Sequence, residues 1–171
     1  MTIDSIQTYL QNIKTPFCVI LVGTPLSGKD TFLSKLGLEN VEVISRDEII
    51  LELCTDMNYN QAWKSVNQKL VDKALKNRIR ESVDKNKNVI INMTNLRRKG
   101  RKSFLLKFGA DYKKIAVILP ILSMDEYEKR NSFRTDVEGK TISMKVIKDM
   151  IDEYEALDET ENFDKVINYK Y

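Results

Sequence analysis

The chain has 171 residues, 42% of them hydrophobic, which is enough for one well-cored domain and too little for two of ordinary size. Its 28 basic and 25 acidic side chains leave a net charge of +3, which permits contact with an anionic polymer without arguing for one. No apolar run nears the roughly 18 residues of a membrane span and no basic-then-apolar leader opens the chain, so a cytoplasmic protein with no membrane partner is expected. In chain order, residues 3–13 carry Ile6, Leu10 and Ile13 at helical spacing and predict a peripheral helix. The apolar run 17–22 predicts a strand, and helical patterning resumes at 29–36. Strands are expected again at 41–44, 89–92, 115–119 and 166–169. Between them, a helix begins at Asp47, a long stripe runs through Trp63, Val66, Leu70, Ala74, Leu75, Ile79 and Val83, and residues 101–108 end at Gly109 as a left-handed cap. Trp63 is read as a packing residue rather than a base-stacking platform. Two charged helices, 123–136 and 143–156, precede the last strand.

Strands alternating with helices predict a mostly parallel five-stranded α/β sheet covered on both faces. The expected organisation is a single domain over residues 1–171, with 1–16 as a peripheral N-terminal helix and 123–156 as lid and C-terminal helices. Cys18 and Cys54 lie far apart in apolar surroundings, the setting of reduced thiols rather than of a disulfide.

The strand-to-helix junction is Gly23-Thr24-Pro25-Leu26-Ser27-Gly28-Lys29-Asp30-Thr31. Glycines at the ends of a GxxxxGK spacing let the backbone curl so that its N–H groups point inward, and Lys29 with the helix N-terminus supplies positive charge for β- and γ-phosphates. The junction reads as a nucleoside triphosphate site. After the lysine a hydroxyl usually ligates magnesium; here Asp30 stands there, with Thr31 next to reach a phosphate oxygen. Asp30 either holds Mg²⁺ directly or through water, or complements the helix dipole as a first-turn acid.

Histidine is absent, which excludes imidazole general bases, His triads and His-ligated zinc and leaves proton acceptance to a carboxylate. At the end of the second strand, Ser45-Arg46-Asp47-Glu48 points to the same crevice as the loop. Ser45 and Glu48 have the spacing of a capping box, which would explain Asp47 as a dipole-stabilised acid; alternatively Asp47 accepts the proton of an attacking hydroxyl. On the helix after Ser123, Arg130 and Arg134 share a face and could close over a nucleotide, or Arg130 could simply pair with Glu126. Arg97, Arg98, Lys99, Arg101 and Lys102 form a basic cluster, either a phosphate-backbone contact or a solvated helix start.

Together the loop, Arg46-Asp47, the strand before Thr94-Asn95, and Lys129-Arg130-Asn131-Ser132-Phe133-Arg134 resemble the kinase domain of the bacteriophage-type polynucleotide kinases over residues 17–157. The resemblance implies a P-loop NTPase fold, adenylate-kinase-like, and transfer of the γ-phosphate of ATP, with Mg²⁺, to the 5′-hydroxyl of a nucleic acid end. It implies Lys29 as the loop lysine, Asp47 as general base and Arg134 as the lid arginine on the donor phosphates, with Arg130 in the same lid motif. Phage enzymes of this group often carry a phosphatase domain too, and the resemblance covers the kinase domain alone. Leu26 stands where the family usually has glycine. Ile50 replaces an acceptor-contacting arginine, and Met93 replaces an aspartate near that arginine. Losing both points to an altered acceptor pocket, for which Arg46, Asn92 and Asn95 are candidate contacts beside Asp47. Two other readings stay open: a kinase for a nucleoside, small metabolite or hydroxymethylated base, and a non-catalytic nucleotide-binding module. The oligomeric state is not legible in the chain.

Overall fold

Six consecutive apolar residues, all fully or nearly fully buried, make β1 (Phe17–Val22) the centre of the molecule. A computed structural model describes residues 1–170, apart from the side chain at position 138; Tyr171, the last residue of the expected domain, lies outside the described residues. Strands β2 (Val41–Ser45), β3 (Asn88–Asn92), β4 (Lys113–Ile118) and β5 (Lys165–Asn168) join β1 in one parallel sheet ordered β2-β3-β1-β4-β5. Cys18 pairs with Val89 and Ile20 with Ile91 on one side, and Val19 with Ile115 on the other. Because β1 side chains alternate between faces, Cys18, Ile20 and Val22 enter one core and Phe17, Val19 and Leu21 the other. Burial pushes the Cys18 thiol pKa well above its ordinary value, and both cysteines are free thiols.

Helices α1 (Ile3–Gln11) and α2 (Lys29–Leu36) cover one face, through Ile6, Leu10, Phe32 and Leu36. The other face is covered by α3 (Arg46–Leu53), α4 (Tyr59–Ser65), α5 (Gln68–Asp84) and α6 (Arg98–Leu105). Each fully buried aliphatic side chain contributes on the order of 1.5–3 kcal/mol, so this double layer dominates the fold energetics. Beyond the sheet lie α7 (Met124–Glu138), α8 (Met144–Asp152) and a 3₁₀ turn, Glu159–Glu161. No helix among the described residues is long and apolar enough to cross a membrane.

Three local expectations are corrected. The stripe from Trp63 to Val83 is two helices, because Val66 is extended (φ −68°, ψ 139°) and the Asn67 side chain accepts from Lys69 N at 3.0 Å to start α5. That break leaves Trp63 45% exposed, not packed in the core, while Val71, Leu75 and Ile79 form the buried face of α5. Gly109 is no left-handed cap: α6 starts at Arg98, and 3₁₀-type bonds from Lys107 N to Phe104 O and Phe108 N to Leu105 O close its end.

Candidate active site

In a parallel sheet of this order β1 lies between β3 and β4, and the crevice at the strands' carboxyl ends receives the loops that follow them. Residues 23–28 fill it after β1. Gly23 N donates to Thr94 O at 3.0 Å, and a Cβ on Gly23 would stand 2.6 Å from Ser27 Oγ, so a larger residue would force the loop open. Gly28 takes a left-handed conformation (φ 83°) and caps the start of α2. Leu26 is also left-handed (φ 63°), which costs a non-glycine residue about 1–2 kcal/mol. Pro25 is half-buried between Thr24 and Leu26, and Thr31 is exposed in the first turn of α2.

Lys29 Nζ donates to Gly23 O at 3.1 Å and Thr24 O at 2.7 Å. Desolvation lowers its pKa from 10.5 to about 8, opposed by the negative charges of Asp30 and Asp47 and reinforced by the positive charge of Arg134. Lys29, Asp30, Asp47 and Arg134 are therefore within electrostatic reach of one another.

Ser45 makes no side-chain cap at the start of α3, so the capping box is not realised, while Asp47 and Glu48 do lie in the first turn of α3, where the helix dipole favours an acid. Asp47 Oδ1 accepts from Tyr59 Oη at 2.9 Å, across from α4. Burial, and then the adjacent Asp47, push the Tyr59 pKa well above its ordinary value, so the phenol stays protonated and keeps donating. A carboxylate held at one oxygen and facing a lysine can take up a proton at the other.

The arginines of α7 reach the loop from above. Arg130 donates from Nε to Glu126 Oε1 at 2.7 Å and from Nη1 to Leu26 O at 3.1 Å, so the Glu126 pair and the loop contact coexist. One turn earlier, Tyr127 is fully buried; its Oη lies 2.5 Å from Thr24 Oγ1 and accepts from Leu122 N at 3.2 Å. Arg134, one turn beyond Arg130 along α7, acts electrostatically on both Lys29 and Tyr59. Asn60 Nδ2 donates to Gly139 O at 2.8 Å, tying α4 to the end of α7. Tyr127 shares a helical face with Arg130 and Arg134, a spacing that could have identified it from sequence. Tyr59 had no such signal, since residues 54–58 carry no periodic pattern.

At the carboxyl end of β3, Asn92 Nδ2 donates to Asp30 Oδ1 at 2.9 Å, and Asn92 Oδ1 is buried with no hydrogen-bond partner among the described residues. Asn95 does not face the crevice: only 8% exposed and left-handed (φ 48°), it donates to Leu21 O at 2.8 Å and pins the loop to β1. Arg46 is held away from it by Asp72 (2.6 Å) and Gln68 (2.7 Å) of α5. Ile50 is fully buried and Met93 packs against the same core, so neither position offers a polar group to a ligand. The basic cluster is largely neutralised: Arg97 pairs with Glu153 at 2.6 Å and Arg98 with Asp158, while fully buried Arg101 pairs with Glu161 at 2.7 Å and also donates to Asn95 O and Leu96 O.

The crevice, the left-handed glycine and the inward lysine define a nucleotide-binding phosphate loop on a kinase fold, and residues 18–157 match the AAA domain family. The chain belongs to this family. No curated protein matches it significantly. Among solved structures, it is similar to a chain of the Pnkp1/Rnl/Hen1 RNA repair complex (TM-score 0.67, 22% identity, covering 84% of this chain and 46% of that one). It spans just under half the length of that protein. It is also similar to a chain of the PezAT chromosomal toxin-antitoxin system of Streptococcus pneumoniae (TM-score 0.62, 16% identity, covering 98% of this chain and 76% of that one). These identities establish the shared phosphate-loop fold of the family.

Proposed function

We propose that the protein is an ATP-dependent kinase that phosphorylates the 5′-hydroxyl of a DNA or RNA end. The observation that supports this reading is Asp47 at the start of α3, its Oδ1 held by the Tyr59 hydroxyl at 2.9 Å and its charge acting on Lys29 of the loop. In the reaction the acceptor oxygen attacks the γ-phosphorus, its proton passes to Asp47, and the bond to the bridging oxygen breaks to release ADP. Lys29 and Arg134 stabilise charge on the transferring phosphoryl, and Arg130 braces the loop through Leu26 O.

Among the described residues no three acidic or cysteine side chains are gathered to hold a metal ion by themselves, so magnesium would depend on the nucleotide's own phosphate oxygens together with a loop carboxylate. Asp30 would hold the ion, directly or through water, with Asn92 fixing one carboxylate oxygen. Bound there, Mg²⁺ would neutralise phosphate charge as the bond to ADP breaks. Two free thiols agree with a reducing, cytoplasmic setting.

A second reading, a kinase for a nucleoside or small metabolite, draws on Ile50 and Met93, which leave the acceptor side without the arginine and aspartate of related enzymes. The test is transfer of labelled γ-phosphate from ATP and Mg²⁺ to 5′-hydroxyl DNA and RNA oligonucleotides, with nucleosides and 5′-phosphorylated oligonucleotides alongside. Label on 5′-hydroxyl oligonucleotides alone is expected, lost in Asp47→Asn with ATP affinity nearly unchanged. Label confined to small molecules would replace the first reading with the second, and full turnover by Asp47→Asn would remove Asp47 as base.

A further inference from the structure

We propose that Trp63 and Tyr59 form a shelf on which the terminal nucleobase of the acceptor stacks, taking over recognition from the arginine–aspartate pair that this chain lacks. The proposal rests on the polynucleotide reading above and names the group that binds the acceptor. Tyr59 and Trp63 lie one turn apart on α4, their rings 6.3 Å between centroids and tilted by 31°. Trp63 is 45% exposed, although the same helix buries Ala62 completely in the core. A half-exposed indole on a packed helix presents apolar surface to solvent.

Its position selects the occupant. Tyr59 Oη is fixed to Asp47, so the shelf begins at the carboxylate that would receive the acceptor's proton. A nucleotide whose 5′-hydroxyl reaches Asp47 would carry its base about one sugar away, a reach comparable with that from Asp47 through Tyr59 to Trp63. Lys140 Nζ lies 4.6 Å from the centre of the Tyr59 ring, and Arg134 acts on the same phenol. The shelf is thus flanked by cations, which suits a base attached to a phosphodiester chain rather than a neutral polyol. The bond from Asn60 to Gly139 anchors α4 against the end of α7 and gives the shelf a fixed backing. Stacking tolerates any base, so the expected recognition is of an aromatic ring next to a 5′-hydroxyl and not of one sequence.

Trp63 is the only tryptophan in the chain, so its fluorescence reports the shelf directly. In the full-length protein, a 5′-hydroxyl oligonucleotide should quench this emission, and the same oligonucleotide with an abasic 5′-terminal sugar should not. In steady-state kinetics Trp63→Ala should raise the oligonucleotide KM by about 5- to 100-fold, with the KM for ATP unchanged and most of the loss recovered in Trp63→Phe. Because Trp63 is exposed, unchanged circular dichroism and melting temperature are expected to accompany these effects. Transfer to oligonucleotides with no quenching, and with the same KM in Trp63→Ala, overturns the shelf and leaves the kinase standing. Quenching that depends on the base but without transfer retains the shelf and overturns the kinase reading. Equal quenching by the abasic oligonucleotide overturns base stacking outright.

Discussion

Replacing Lys29 by methionine removes a cation that the fold has desolvated. Burial lowers the Lys29 pKa from 10.5 to about 8, which corresponds to roughly 3 kcal/mol. Between about pH 8 and 10.5 the unfolded chain carries a proton on Lys29 that the folded chain has released, so this group makes stability rise with pH across that window. Below about pH 8 both states are protonated and the full penalty remains. Every other titration is shared by the variant, so the stability of wild type minus that of Lys29→Met should climb by up to roughly 3 kcal/mol from about pH 7.5 to 10.5. For a chain of this length that is roughly 6–12 °C in relative melting temperature. Paired thermal melts over that range, without nucleotide, measure it. A difference flat with pH would refute the desolvation of Lys29. ATP should reverse the balance near neutral pH, because the triphosphate restores a partner to the charge and raises the melting temperature of the wild type but not of the variant.

Tyr59→Phe keeps the ring and deletes the donor to Asp47, so kcat should fall about 10- to 100-fold while the oligonucleotide KM stays near wild type; a change in KM alone would place Tyr59 only in the acceptor shelf. Glu161→Gln leaves the Arg101 guanidinium buried and uncompensated, and chemical denaturation should register a loss of about 3–5 kcal/mol, partly regained in the double variant Arg101→Met/Glu161→Gln. Alanine at Arg97, Arg98 and Lys102 together should leave the slope of log Kd against log salt for an oligonucleotide unchanged within one unit, since acids of residues 153–161 already engage the two arginines and Thr160 the lysine. A slope reduced by two or more would return these side chains to the nucleic-acid interface.

The residues legible in the sequence are those whose chemistry is local. The loop from Gly23 to Thr31 needs its glycines for backbone reasons, and β1 declares itself by six buried apolar residues in a row. The strand boundaries follow for the same reason, within one or two residues. What the chain does not announce depends on contacts across long separations. Arg101 and Glu161 are 60 residues apart, so a cation run that reads as either a phosphate-backbone contact or a solvated helix start also holds the C-terminal segment against α6. Asn95 looks like a polar residue at a strand end, yet its amide is consumed by Leu21 O, 74 residues earlier. Trp63 fails in the opposite direction, because periodicity carries no mark of the break at Val66 that rotates it out of the core.

The same distinction separates the two halves of the crevice. The donor half is built from one continuous segment plus a helix whose Tyr127, Arg130 and Arg134 repeat at helical spacing, and a phosphate imposes the same demands on every such loop. Under the proposed function the acceptor half would be assembled from the ends of β2 and β3 and from α4, where Ile50 and Met93 belong to the core. A buried arginine without its aspartate would be an unpaired charge, so replacing both together removes a cost that replacing one would create. Affinity for an acceptor then has to come from groups that can be lost or gained singly, and an exposed aromatic side chain meets that condition because its stacking energy depends on no partner charge. Trp63, 45% exposed and joined through Tyr59 to Asp47, is placed to supply it.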